Sequence, residues 1–106
     1  MAYQVVFSPE AEEQLAALYR YIAEAATPTT SARYVNAIID YCESLEMFPM
    51  RGTQRDEVRP GLRVTNYKGR AVIAFTVDAD RVSILGVFYG GQDYETVLQE
   101  DFDEAE

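Results

Sequence analysis

The chain contains no histidine and a single cysteine, Cys42. Zinc sites built on imidazole and thiolate are therefore excluded, as is acid–base catalysis by imidazole. One cysteine forms no internal disulfide, which agrees with a reducing compartment. No apolar run approaches the roughly 18 residues of a membrane span, and no signal-peptide pattern opens the sequence, so the expected location is the cytoplasm. No glycine-rich phosphate loop is present either: Gly90-Gly91 precedes neither a Lys-Ser/Thr pair nor a full helix. Any chemistry has to run on carboxylates, Arg, Lys, Tyr or Ser/Thr. Ser83 falls within a strand pattern with no base beside it, which leaves no serine-hydrolase reading.

What is present is one small domain's worth of chain, 106 residues with a 48% hydrophobic fraction, enough for one core. The net charge of −9 is unevenly spread. Residues 51–70 hold six basic side chains against two acidic ones, a local balance of +4, whereas residues 93–106 hold seven acids and no base. The overall charge argues against general affinity for nucleic acid, because phosphates are repelled. It leaves one cationic patch.

The stretch from Gly61 to Tyr94 has the densest β pattern. Leu62 to Tyr67, Ala71 to Val77 and Val82 to Tyr89 are rich in β-branched and aromatic residues, with Lys68-Gly69 and Asp78-Ala79-Asp80 between them. Strict alternation puts Ala71, Ile73, Phe75 and Val77 on one face and Val72, Ala74 and Thr76 on the other. In the last strand it sets Val82, Ile84 and Phe88 against Leu85, Val87 and Tyr89. Both faces are largely apolar, which requires cover on both sides or a partner on one.

Ahead of this meander, Tyr3 to Phe7 reads as a short strand. Ser8-Pro9-Glu10 then signals a helix start, and Ala11, Leu15, Leu18 and Ile22 give the stripe of a helix from about Pro9 to Ala25. Thr27-Pro28-Thr29-Thr30-Ser31 breaks it and supplies new caps. A second helix is expected from about Thr29 to Met47, with Val35, Ile38, Ile39, Cys42 and Leu45 as its stripe and Tyr34, Tyr41 and Phe48 on its shoulder. Cys42 within that stripe is a core residue. Pro49 to Gly61 is a loop, and Arg51, Arg55, Arg59 and Arg63 recur four apart across it, with Gly52 and Pro60-Gly61 leaving room for no more than a short turn. Glu95 to Gln99 fits one helical turn, and the acidic residues beyond it lack the apolar content to fold alone.

The fold expected is α+β, in the order β-α-α-β-β-β, with an antiparallel sheet packed against an N-terminal α-hairpin. Residues 1–98 form the domain and residues 99–106 an acidic tail. Two readings of the sheet's polar residues stay open. Arg63, Tyr67, Lys68, Arg70 and Tyr89 could line one side and act on a phosphodiester, or they are structural tyrosines and solvated cations.

Several stretches carry a resemblance to a known family. They are Phe7-Ser8-Pro9-Glu10-Ala11, Arg33-Tyr34, Phe48-Pro49 with Arg51-Gly52, Arg59-Pro60-Gly61-Leu62-Arg63, and Val87-Phe88-Tyr89-Gly90-Gly91-Gln92-Asp93. In this order and spacing, over about residues 3–98, the chain resembles the RelE/ParE superfamily of type II toxin–antitoxin toxins, and the ParE branch more closely. The resemblance implies a cognate ParD-like ribbon-helix-helix antitoxin whose C-terminal segment wraps the toxin; no cofactor, metal or membrane is expected. In the ParE branch the implied target is DNA gyrase and the toxin acts by binding. In the RelE branch it is messenger RNA on the ribosome, cut by basic residues and a tyrosine on the sheet.

RelE-like cleavage calls for an arginine in the middle strand and a basic exit from the last one. Here those positions read Ala71-Val72-Ile73-Ala74-Phe75 and Gly90-Gly91-Gln92. The exit also departs from the His-Gly and Arg frequent in ParE members. The leading expectation is a binding toxin rather than a catalyst. A ribosome-dependent endonuclease and a non-toxic interaction module of the same fold are the alternatives. The expected antitoxin- or target-binding positions are Arg55, Arg59, Arg63, Tyr67, Arg70, Phe88, Tyr89 and Gln92. The antitoxin segment is expected in an apolar groove between hairpin and sheet, with its acids reaching the Arg55/Arg59/Arg63 lip.

Overall fold

In the computed structural model, residues 3–90 and Leu98 are described. Strand β1 (Gln4–Phe7) leads into helix α1 (Pro9–Ala25), whose first turn is capped as its sequence demands: the Ser8 hydroxyl accepts the Ala11 N–H at 3.0 Å. Helix α2 (Pro28–Glu43) opens in the same way, with the Thr27 hydroxyl accepting the Thr30 N–H at 3.0 Å. Ser31 joins the two helices at their closed end by donating its hydroxyl to the Tyr19 carbonyl at 2.6 Å, which satisfies a polar group that is otherwise fully buried.

Helix α2 stops earlier than its apolar stripe suggests. Ser44–Glu46 tightens into a single 3-10 turn, and the Ser44 hydroxyl donates back to the Tyr41 carbonyl at 2.5 Å. Leu45 remains in the core, but Phe48 does not complete the aromatic seam. Together with Met47 and Met50 it is more than half exposed. Its ring instead lies under the Arg51 guanidinium, 5.5 Å from centroid to charge.

The remaining strands are β2 (Thr53–Gln54), β3 (Arg63–Tyr67), β4 (Ala71–Val77) and β5 (Arg81–Tyr89). They form one sheet in the order β1-β5-β4-β3-β2. The meander β3-β4-β5 is antiparallel, as its short turns require, with Lys68 and Gly69 both at positive φ in a tight reversal closed by Arg70 N–H to Tyr67 O. Strand β1 adds in parallel beside β5, pairing Gln4 with Arg81 and Phe7 with Ile84, so the whole sheet is mixed. The two helices carry the chain from β1 to the opposite edge of the sheet, and the meander then steps back until β5 lies beside β1 and runs the same way.

The two-residue β2 lies inside the stretch expected to be loop. It exists because Gly52 lets the chain pass close to β3: a Cβ there would sit 2.2 Å from the Val64 carbonyl oxygen, and its φ is +82°.

Alternation fails in β5, and the cause is a bulge. Ala74 pairs with Gly86 and Phe75 with Ile84, so Leu85 is an extra residue. Beyond it the faces exchange. Val87 and Tyr89 join Val82 and Ile84 on the helix-covered side, whereas Phe88 joins Leu85 on the opposite side. The expected grouping of Phe88 with Val82 and Ile84 is thereby corrected.

The main core lies between helices and sheet, with Ile38, Leu45, Ile73, Phe75 and Ile84 fully buried. The second face has a smaller cluster of Val58, Leu62, Ala74, Phe88 and Leu98. Cys42 is fully buried in the main core, and burial pushes its thiol up to about 12.

Candidate functional site

A cleft of about 380 Å³ lies between α1 and the end of β5. Helix α1 contributes Gln14, Ala17, Leu18 and Tyr21, and the strand contributes Val87, Tyr89 and Gly90. Positions 14, 17, 18 and 21 form one helical face. That face is the shoulder of the core stripe, turned outward just enough to be half wet.

The bulge creates this wall of the cleft. By exchanging the faces of β5, it brings Val87 and Tyr89 to the helix side. The backbone groups it disturbs are tied to the start of α1. Ser8 donates its N–H to Ile84 O at 3.0 Å and its hydroxyl to Leu85 O at 3.1 Å, and Gln14 Oε1 accepts the Val87 N–H at 2.7 Å. Gly86 makes the arrangement possible, since a Cβ at that position would come within 2.6 Å of the Phe88 ring.

From the cleft a line of tyrosines runs across the sheet. Tyr21 meets Tyr89 at 6.5 Å, Tyr89 meets Tyr34 at 5.9 Å, Tyr34 meets Tyr67 at 6.1 Å, and Tyr67 meets Tyr41 at 5.3 Å. These tilted and edge-on contacts are of the kind favoured by ring quadrupoles. The Tyr41 hydroxyl shares a hydrogen bond with Thr65 Oγ1 at 2.9 Å, and the Arg51 guanidinium stands 5.1 Å over the Tyr41 ring. The Tyr34 hydroxyl is buried without a hydrogen-bond partner. Its pKa is raised by burial first, then by Tyr89 and Tyr67, against an opposing pull from the Arg70 cation.

The eight positions expected to bind a partner separate into groups. Tyr67, Arg70 and Tyr89 come together at the cleft end of the sheet: Tyr67 pairs with Ala71, Ala71 with Tyr89, and Gly90 N–H reaches Arg70 O at 3.1 Å. Lys68 joins them, its ammonium 5.6 Å from the Tyr67 ring. Arg63 begins β3 at the other end, about 13 Å away along the strand by its rise per residue. There its guanidinium is engaged with the backbone, donating to Met50 O at 2.6 Å and Arg51 O at 3.3 Å.

Arg55 and Arg59 lie on the turn after β2, where Arg55 is ion-paired with Glu57 and holds that carboxyl below its ordinary range. The four arginines therefore form no single face. Arg51 and Arg63 brace the 47–51 loop, whereas Arg55 and Arg59 belong to a separate turn. Phe88 is buried on the second face. Gln92 lies outside the described residues, as do the expected Glu95–Gln99 turn, apart from Leu98, and the acidic tail.

Residue-by-residue reading did not single out Gln14, Ala17 or Tyr21 as lining a site. The signal was present as their spacing beside the core stripe. It gains meaning only when the β5 bulge supplies the facing wall.

Comparison with known proteins gives a consistent picture. The family model described as the ParE toxin of the type II toxin–antitoxin system, parDE, matches residues 5–94. No curated protein sequence matches the chain. Among solved structures it is similar to a chain of the chromosomal ParDE TA system from P. aeruginosa. The TM-score is 0.73 at 19% identity, over 83% of this chain and 96% of that one. It is also similar to a chain of the RelBE2 toxin–antitoxin complex from Mycobacterium tuberculosis. There the TM-score is 0.62 at 19% identity, over 85% of this chain and all of that one. At such identities these likenesses speak for the fold.

Proposed function

The chain belongs to the ParE toxin family of type II toxin–antitoxin systems, and from that premise we propose that it acts by binding and is neutralised by an antitoxin seated in the α1/β5 cleft. The observation that carries this reading is the lining of the cleft. Ala17, Leu18, Val87, Tyr21 and Tyr89 form most of its walls beside Gln14, and the Lys68-Gly69-Arg70 turn adjoins it where Gly90 N–H bonds Arg70 O at 3.1 Å. Such a surface suits one apolar face of an amphipathic segment, with carboxylates on that segment turned toward the two cations. A ParD-like ribbon-helix-helix protein with an amphipathic C-terminal segment fits that chemistry.

The target proposed is DNA gyrase, on the strength of family membership and of the binding character of the surface. The middle strand carries no base from Ala71 to Val77, and the tyrosine line is occupied with ring packing. A net charge of −9 also favours a protein target over the phosphate-rich ribosome.

The test has two steps. Expression of the chain alone should arrest growth, and co-expression with the product of an adjacent ribbon-helix-helix frame should relieve the arrest. Purified protein should then inhibit gyrase supercoiling while leaving translated messenger RNA intact. Cleaved message with unaffected supercoiling would replace the binding reading with an endonuclease, and normal growth would leave a non-toxic module.

A further inference from the structure

The 3-10 turn after α2 gives way to a short loop that holds three large apolar side chains in solvent. Met47 is 64% exposed, Phe48 61% and Met50 61%. Single exposed apolar residues are ordinary, but three within four positions make a patch, and none of them lines the α1/β5 cleft. With Pro49 and Arg51 they line an open hollow of about 480 Å³.

This loop is preformed. Met47 N–H reaches Ser44 O at 3.2 Å, and Arg51 N–H reaches Phe48 O at 3.4 Å. Arg63 crosses from β3 to donate to Met50 O at 2.6 Å and to Arg51 O at 3.3 Å, while Arg51 Nη1 donates to Ser44 Oγ at 3.4 Å. The close approach of Gly52 to Val64 fixes where the loop rejoins the sheet. Two guanidinium groups and a glycine thus hold apolar side chains outward, leaving the gain of their burial unrealised in the free chain. A partner that covers them has little backbone left to order.

The charge of the hollow selects its occupant. Arg51 is the one charged side chain among the described residues that line it. Its guanidinium stands beside the Phe48 and Tyr41 rings and bonds the neutral Ser44 hydroxyl, and no carboxylate among the described residues pairs with it. A cation so placed complements a carboxylate next to an apolar side chain, whereas the net charge of −9 disfavours the phosphates of a nucleic acid. A second copy of this chain fits less well. Three side chains fall short of the roughly 800 Å² per partner of a stable dimer, and a two-fold contact sets Arg51 against its own copy.

We propose that the 47–51 loop is the surface with which this toxin grips its protein target, Phe48 and Met50 meeting an apolar contact and Arg51 a carboxylate beside it. The inference rests on the reading that the chain acts by binding. It separates the gripping surface from the antitoxin's cleft, with which the hollow shares no lining residue.

Met47 and Met50 are two of the chain's three methionines, so carbon-13 labelling of methionine methyls puts NMR reporters on the loop itself. Purified gyrase, added without DNA, should broaden both signals. Phe48→Ser and Met50→Ser should each weaken gyrase binding by about tenfold or more and relieve growth arrest. Each should bind the antitoxin within about twofold of the unmodified chain, the spread of a surface change outside the interface. Both side chains are exposed, so unfolding midpoints should hold, and Met50→Ser also leaves the Arg51–Phe48 contact in place. Variants that still arrest growth and inhibit supercoiling overturn this inference and leave the binding reading intact. If the unmodified chain arrests growth without affecting gyrase, the gyrase reading fails and the same variants decide the loop: lost arrest with kept antitoxin binding supports it, and kept arrest overturns it. Antitoxin affinity lost in step with arrest overturns it too, as do Met47 and Met50 signals moved by duplex DNA alone. An unmodified chain that leaves growth normal overturns both.

Discussion

Gln14 and Val87 are joined by a hydrogen bond from the strand N–H to the side-chain Oε1 at 2.7 Å, across 73 residues of sequence. The bond serves β5 beyond the end of β1, whose last pair is Phe7 with Ile84: without it the Val87 N–H, in a residue only 3% exposed, loses the acceptor that the structure gives it. Replacing Gln14 with Leu keeps the bulk and removes the acceptor. We expect a loss of about 1–3 kcal/mol, the cost of an unsatisfied buried donor. Gln14→Glu, which keeps an acceptor, should lose less. Urea unfolding checks both, with an unchanged m-value as the sign that only stability moved.

Gly52→Ala should be more damaging than its size suggests. The added methyl would meet the Val64 carbonyl oxygen and carbon at 2.2 and 2.9 Å, both fixed backbone atoms, at a φ of +82°. Gly69→Ala is the control, since its Cβ position is open and only its φ of +71° is unfavourable. The control should cost about 1 kcal/mol. Gly52→Ala should cost at least twice that and should abolish the β2–β3 pairing, seen as lost amide protection around Arg63 and Val64.

These two positions also show where reading the sequence reached its limit. The helix caps, the stripe Ala11/Leu15/Leu18, the meander and its turns follow from local rules, because each depends on residues a few positions apart. The β1–β5 pairing, the bulge and β2 depend on contacts between distant segments. In β5, strict alternation failed after Leu85 because nothing local marks an extra residue except Gly86, and its role needs the Phe88 ring beside it. For the same reason the arginine series looked like one surface. Spacing alone does not reveal that Arg63 turns to Met50 O and Arg51 O, leaving Arg55 and Arg59 on a turn of their own. The tyrosines were half legible: Tyr34 and Tyr41 by their seven-residue spacing and Tyr67 and Tyr89 as sheet positions, but Tyr21 and the contacts that join all five only through the fold.

Cys42 gives a pH dependence with a definite sign. Burial raises its thiol from 9.0 to about 12, so between those values the folded chain holds a proton that the unfolded chain releases. Stability attributable to this group is complete below pH 9 and declines as pH rises toward 12, at up to about 1.4 kcal/mol per pH unit. Cys42→Ala removes the slope at the cost of a small cavity. Unfolding midpoints measured across this alkaline range in both proteins should diverge below pH 9 and converge above it.

Tyr34→Phe should leave stability unchanged or raise it by up to about 1 kcal/mol. The phenol is buried without a hydrogen-bond partner, so removing it relieves a desolvation cost and keeps the ring contacts with Tyr67 and Tyr89. Thermal unfolding at neutral pH is the check. A clear destabilisation would mean that the hydroxyl is satisfied by an ordered water within the aromatic line.

The docking face of α1 can be separated from its merely exposed face with one pair of substitutions. Ala17 lines the cleft and Ala16 does not, though both are exposed and adjacent in the helix. Arginine is nearly as good a helix former as alanine, so neither Ala17→Arg nor Ala16→Arg should disturb folding by more than about 0.5 kcal/mol. If an antitoxin segment seats an apolar side chain between Leu18 and Val87, a long cation at position 17 fills that space. Affinity should fall by about 2 kcal/mol, roughly thirty-fold, for Ala17→Arg. Ala16→Arg should bind as the unmodified chain does. Calorimetric titration of each variant with the antitoxin makes the comparison, and equal affinities would move the antitoxin off this face of α1.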